Sequence, residues 1–187
     1  MTFVEKRNAL VLALAEYVGR PVLLANQVQP EEEPPYIVWA VLTDYTPDGS
    51  LGHFSTEDAG EGYAWSVRTE QPTATLSFTA CSINRSGVGA DGQPFYFLGA
   101  DEAQELAWKA QSFFLHGGRY ALQKAGFVVV EVTNAAPRDA LELDEMGRRF
   151  GFDVRLRYVR TDAEKVTTID GAVTKQTKEK EENRNAE

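Results

Sequence analysis

Phe3, Arg7, Leu10, Leu14 and Tyr17 or Val18 fall on one face at three- and four-residue spacing, with Glu5, Lys6, Asn8 and Glu16 between them. That spacing predicts an amphipathic helix over residues 3–18, stopped by Gly19 and Pro21. A polar, Pro-rich stretch at 30–35 follows, and then residues 36–42 (YIVWAVL) form a short β-branched and aromatic run. This run reads as a strand covered at least partly on both faces. Residues 43–61 are rich in Gly, Asp and Thr and read as a long loop. From Thr73 the chain alternates: Ala74, Leu76, Phe78 and Ala80 take one face, Thr73, Thr75, Ser77 and Thr79 the other. Period two is a half-exposed strand, and residues 62–68 are expected to pair with it.

Residues 84–99 make a second excursion, with turns at its Gly and Asp positions and an apolar end, Phe95, Tyr96, Phe97 and Leu98. Asp101 followed by Gln104 fits a helix N-cap with its box partner. The helix would run to His116 on a face of Ala103, Leu106, Ala110 and Phe113 or Phe114, and Gly117 and Gly118 would end it. A short helix over 120–125, capped by Gly126, leads into a strand at 127–132. Residues 137–149 are charged and mixed, with Leu141 and Leu143 as anchors. Phe150, Phe152, Val154, Leu156 and Tyr158 alternate with Gly151, Asp153, Arg155 and Arg157, a strand with one core face and one charged face. Asp170-Gly171 marks a hairpin within 166–174, and residues 175–187 are a polar tail that alone should be flexible.

Composition narrows the class. The 187 residues are 43% hydrophobic and 25% charged, which fits one ordinary folded domain. Cys81 is the only cysteine, so an intrachain disulfide, a Cys-based zinc site and a CxxC pair are all excluded. No apolar run approaches the roughly 20 residues of a membrane span, and the N-terminus lacks a cleavage site, so a cytosolic product is expected. The net charge of −9 is uneven: residues 1–100 hold 12 acidic against 5 basic residues, and the remainder 16 against 14. Such a field disfavours binding to a phosphate backbone, though it does not exclude a protein that DNA merely passes through.

Catalytic signatures are absent. There is no nucleophile elbow, P-loop, dinucleotide fingerprint or zinc-protease motif, and His53 and His116 lie far apart. No catalytic, cofactor or metal residue is therefore expected. His53 reads as a solvated loop residue, His116 as a residue whose place at a helix C-terminus the helix dipole explains, and Cys81 as a small hydrophobe. The run Glu31, Glu32 and Glu33 reads as solvated rather than chelating. Gly87, Gly89 and Gly92 lack a following Lys-Ser/Thr, and Asp91 would repel a phosphate. Arg155 and Arg157 could contact nucleic acid, but pairing with carboxylates of another subunit suits so acidic a chain better. Phe95, Tyr96 and Phe97 fit either a local core or a subunit interface.

Three stretches resemble a known family. They are Gly19-Arg20-Pro21-Val22 through Ala25-Asn26-Gln27 to Pro35-Tyr36-Ile37; the strand from Thr73 with the helix that leads to Gly126-Phe127; and Arg149-Phe150-Gly151-Phe152-Asp153-Val154-Arg155-Leu156-Arg157-Tyr158. In this order they resemble the neck or tail terminator proteins of long-tailed bacteriophages, over roughly residues 1–160. The lead-in to the last strand, Asp144 to Arg149, lacks the family's aromatic, and neither the 46–62 loop nor the extension past Asp162 aligns.

The resemblance implies an α+β subunit with a single mostly antiparallel sheet flanked by helices. A domain at 1–162 would carry a C-terminal hairpin and polar extension at 163–187. It implies a virion protein, made in the host cytoplasm, that forms a ring, a hexamer, at the head-tail junction. The ring would cap the tail tube and meet the head connector and, where the tail is contractile, the sheath, with DNA crossing the lumen unread. Another neck or completion protein, or a small-molecule binding module, stays open on the residues alone.

Overall fold

In a computed structural model, residues 2–26, 32–138 and 147–167 are described. Helix α1 spans Phe3–Val18 and opens with a capping box: the Thr2 hydroxyl accepts from the Glu5 N–H, and the Glu5 carboxylate accepts from the Thr2 N–H. Gly19 closes it at φ 68°, where a Cβ would be strained. Of the two candidates for the last core position, Val18 is buried and Tyr17 stays outside, its ring 5.4 Å from that of Phe113. Arg7 earns its place on the stripe by lying over the Trp39 ring.

Strand β1 (Val22–Leu24) runs parallel to β2 (Tyr36–Thr46). Then come β3 (His53–Gly60), β4 (Tyr63–Glu70) and β5 (Thr73–Ser82). The hairpin β6 (Arg85–Val88) and β7 (Pro94–Phe97) precedes α2 (Gly99–Ser112), which widens into a π-helical turn, Phe113–Gly117. Helix α3 (Arg119–Ala125) leads to β8 (Phe127–Val132), and β9 (Ala136–Pro137), β10 (Arg148–Tyr158) and β11 (Arg160–Thr167) complete the described chain.

The main sheet has the order β1-β2-β5-β10-β8, with β9 also beside β10, and every pairing but β1–β2 is antiparallel. The fold is α+β, and the helices pack on one face of this sheet. Between the layers Phe78, Phe114 and Phe152 meet with ring centroids 5.0–6.1 Å apart, over Leu10, Leu14, Ala110 and Phe113. Each such side chain contributes about 1.5–3 kcal/mol on burial. Phe113 and Phe114 are both buried rather than one of them. Gly118 donates to the Phe113 carbonyl at 2.7 Å to close the wide turn, and its missing Cβ leaves room for the Phe113 ring.

Four expectations need correction. Residues 43–61 are not one long loop: β2 continues to Thr46, β3 occupies His53–Gly60, and only the six residues 47–52 lie between. The polar side chains of β3 have no core beneath them, so no alternation marks the strand. Residues 63–68 belong to β4, which pairs with β3 and β11 and not with β5; Pro72 is buried where the chain passes between the sheets. Within residues 84–99 the chain forms a hairpin, Arg85 to Phe97, rather than turns alone. Finally, α2 starts at Gly99 with no side-chain cap from its own N-cap, Leu98. Asn84 Oδ1 accepts from the Gly99 N–H at 2.9 Å instead, and Asp101 sits in the first turn, where its charge suits the dipole.

Strand β11 crosses the expected boundary at residue 162 without a break. Leu141, Leu143 and the Asp170-Gly171 hairpin lie outside the described residues, as do Glu31 and the tail at 175–187.

Candidate assembly surfaces

The face of the main sheet away from the helices carries polar side chains. Arg138 lies across it, donating to Ser77 Oγ at 2.6 Å, Thr79 Oγ1 at 3.2 Å and Asp153 Oδ1 at 2.8 Å. It can do so because residue 151 is glycine: a Cβ there would stand 2.6 Å from Arg138 Cδ. Burial pushes the Asp153 carboxyl up, but hydrogen bonds from Arg138 and Ser77 and the charge of the guanidinium outweigh it, and its pKa lies below the ordinary 3.8. Arg155, on the same strand, pairs with Glu131 of its own neighbouring strand at 2.9 Å. Arg157 points from the same face, exposed and without an ion pair among the described residues.

A second polar cluster fixes the root of an arm made by β3, β4 and β11. The buried Glu70 carboxylate accepts from both terminal nitrogens of Arg68, at 3.1 and 2.7 Å, and from the Tyr45 hydroxyl at 3.0 Å. Arg68 also donates to the Leu51 carbonyl at 2.7 Å and to Asp162 at 3.2 Å. Hydrogen bonding to Glu70, then to Tyr45, raises the Arg68 pKa above its usual value. One carboxylate thus ties together β2, the turn before β3, β4 and, through Arg68, β11. Beyond this root, Phe54, Tyr63, Trp65 and Val166 are exposed along the arm.

The β6–β7 hairpin is the third feature. Its strands pair only with each other among the described residues. Phe95 and Phe97 pack together on one face, centroids 5.4 Å apart, while Tyr96 and Val88 occupy the other. All four are exposed, Tyr96 to 63% and Val88 to 71%. Phe95, Tyr96 and Phe97 are therefore not local core. Arg85 anchors the base through Glu102 at 2.6 Å and the Pro34 carbonyl at 2.8 Å. At the tip Asp91 accepts from the Gln93 N–H, so the glycine-rich turn is occupied by its own carboxylate.

At the far end of α2 the π-helical turn, α3 and the edge strand β8 line an open groove of about 730 Å³, where Leu115, Leu122 and Val128 stand beside Arg119 and Gln123. His116 also lines it, and His53 lies on β3. Cys81 is buried. No cluster of three His, Cys, Asp or Glu residues suited to a metal occurs among the described residues, and no described helix is long and apolar enough to cross a membrane. Sequence reasoning missed Arg138 and Glu70: Arg138 is defined by partners on strands distant in the chain, and Glu70 pairs with Arg68 two residues before it, a spacing too common to mark a site, and with Tyr45 on β2.

The polar clusters of the described residues are spent on fastening strands to one another, while aromatics are left outside, and the class this defines is a structural α+β subunit. A family model described as phage neck terminator protein matches residues 8–181, nearly the whole sequence. The chain belongs to the phage neck terminator family, so its setting is the neck of the virion. No curated protein matches it.

Proposed function

We propose that the chain assembles as a ring, a hexamer, that closes the tail tube at its final length and presents its other side to the head connector or completion protein, with the sheath a further neighbour in a contractile tail. DNA passes through the lumen without being read. Synthesis takes place in the host cytoplasm and no chemistry is performed. The observation that carries this reading is the family match over residues 8–181. The arrangement of the subunit supports it: a polar sheet face, an exposed arm and an exposed aromatic hairpin are contact surfaces of an assembly protein. An overall charge of −9 suits a passage from which DNA must not hang up.

The test is the mass of the purified protein, alone and with isolated tail tubes, by native mass spectrometry with negative-stain imaging. Rings at one tube end are expected. A protein that stays monomeric and ignores tubes would overturn the proposal, and rings bound only to the connector would move it to a different neck position.

A further inference from the structure

The hairpin and the groove stand at opposite ends of one helix. Helix α2 has 14 residues, about 21 Å at 1.5 Å per residue. The β6–β7 hairpin enters its first turn and the π-helical turn that walls the groove follows its last. We infer that the hairpin of one subunit seats in the β8 groove of the next copy, a head-to-tail contact that repeats around the assembly. This rests on the ring reading above and supplies its subunit interface.

Three observations carry it. First, the hairpin exposes apolar residues on both of its faces, and an isolated two-stranded hairpin is marginally stable in water, so a partner on each side is what its composition calls for. Second, the groove matches in chemistry: Leu115 and Val128 are 66% and 63% exposed at its rim, and β8 is an edge strand whose outer side no described strand pairs. Third, the charges agree. Asp91 is the one charge between residues 86 and 98, at the tip, and has no ion pair among the described residues. Arg119 is the one formally charged residue lining the groove, likewise without an ion pair there. A knob and a socket on different parts of one surface make a heterologous contact, which closes into a ring or runs on as a fibre according to the rotation.

The experiment uses the full chain with isolated tail tubes and two variants at exposed sites, Tyr96→Asp in the hairpin and Val128→Asp in the groove, each checked for an unchanged melting curve. Each alone should lose rings by at least tenfold in negative stain and run as a monomer in native mass spectrometry. Mixed together they should give a dimer and nothing larger, because only one intact knob and one intact socket remain. Charge reversal is the second arm: Asp91→Arg and Arg119→Asp should each reduce ring yield, and the double variant in one chain should recover it.

Rings that persist in both single variants would overturn the contact while leaving the proposed function standing. Loss of rings in Y96D but not V128D would mean that hairpins meet hairpins. Intact rings of V128D that no longer hold the tube would give the groove to the tube. Either result overturns the inference. Wild-type protein that never forms rings, even on tubes, overturns both readings.

Discussion

Gly151 and Arg138 work as a pair, and neither makes sense alone. The strand alternation from Phe150 places residue 151 on the polar face, where a side chain would be expected, yet that space is filled by a guanidinium from thirteen residues earlier in the chain. Arg138 converts three polar side chains on β5 and β10 into one hydrogen-bonded patch, and Asp153 is its charged member. Because the Asp153 pKa is depressed in the fold, its stabilisation is complete above about pH 4 and is lost as pH falls through the folded value. Asp153→Asn is therefore expected to cost about 1–2 kcal/mol at pH 7. The gap to the wild type should shrink progressively below pH 4. Urea unfolding at a series of pH values reads this directly; a constant gap down to pH 2 would show that the carboxylate's charge contributes nothing.

At the scale of elements, legibility follows burial. Helix α1 and strands β5 and β10 were readable because one face of each lies on the core, which writes a period of 3.6 or 2 into the sequence, while β8 was readable as a β-branched run after Gly126. The arm was not. Strand β3 carries Ser, Thr, Glu and Asp with both faces near solvent, and what holds it in place is pairing with β4 and a carboxylate at its root, neither of which leaves a local trace. The same holds for the start of α2, whose cap comes from Asn84, fifteen residues upstream, instead of the adjacent Asp101 that local rules favour.

Of the candidate contact residues, the aromatic triplet at 95–97 could be singled out by eye because three rings in a glycine-rich stretch are unusual. Its choice between core and surface needed the hairpin's geometry. Arg155 was legible as a charge but not as half of a pair, since Glu131 lies on a strand set beside it by the fold.

Glu70 gives the arm its own prediction. Removing its charge leaves Arg68 with half of its bidentate partner, and a buried charge-assisted pair broken in this way costs about 1–3 kcal/mol. The loss falls mainly on the arm, because Arg68 and Glu70 lie on β4 and Arg68 reaches the turn before β3 and Asp162 on β11, while the main sheet contributes a neutral hydroxyl, that of Tyr45 on β2. Glu70→Gln should accelerate amide exchange in His53–Gly60, Tyr63–Glu70 and Arg160–Thr167 by roughly 10- to 100-fold, each 1.4 kcal/mol being tenfold. Strands β5 and β10 should stay as protected as before. Uniform acceleration across all strands would mean that the arm and the main sheet open as one unit.

At the scale of the whole molecule, the C-terminal segment can be divided by what it touches. A boundary at residue 162 would cut β11 in the middle: Ala163 to Thr167 pair in register with Val67 back to Tyr63, so those five residues are part of the arm and not an appendage. The family match continues to residue 181, which gives the residues after Thr167 a place in the family's common plan. Two truncations separate these roles. A chain ending at Thr167 keeps every described pairing of β11 and should melt as the full chain does, while assembling more weakly on tail tubes if the final residues reach a neighbour. A chain ending at Asp162 exposes the edge of β4 along Tyr63–Val67, frees Trp65 and Tyr63 from their β11 partners, and should show lost exchange protection there and a tendency to aggregate through the new edge. Should the chain ending at Thr167 also fail to fold, the final residues belong to the core of the subunit, and assembly would have to be assigned to the hairpin, the groove and the sheet face alone.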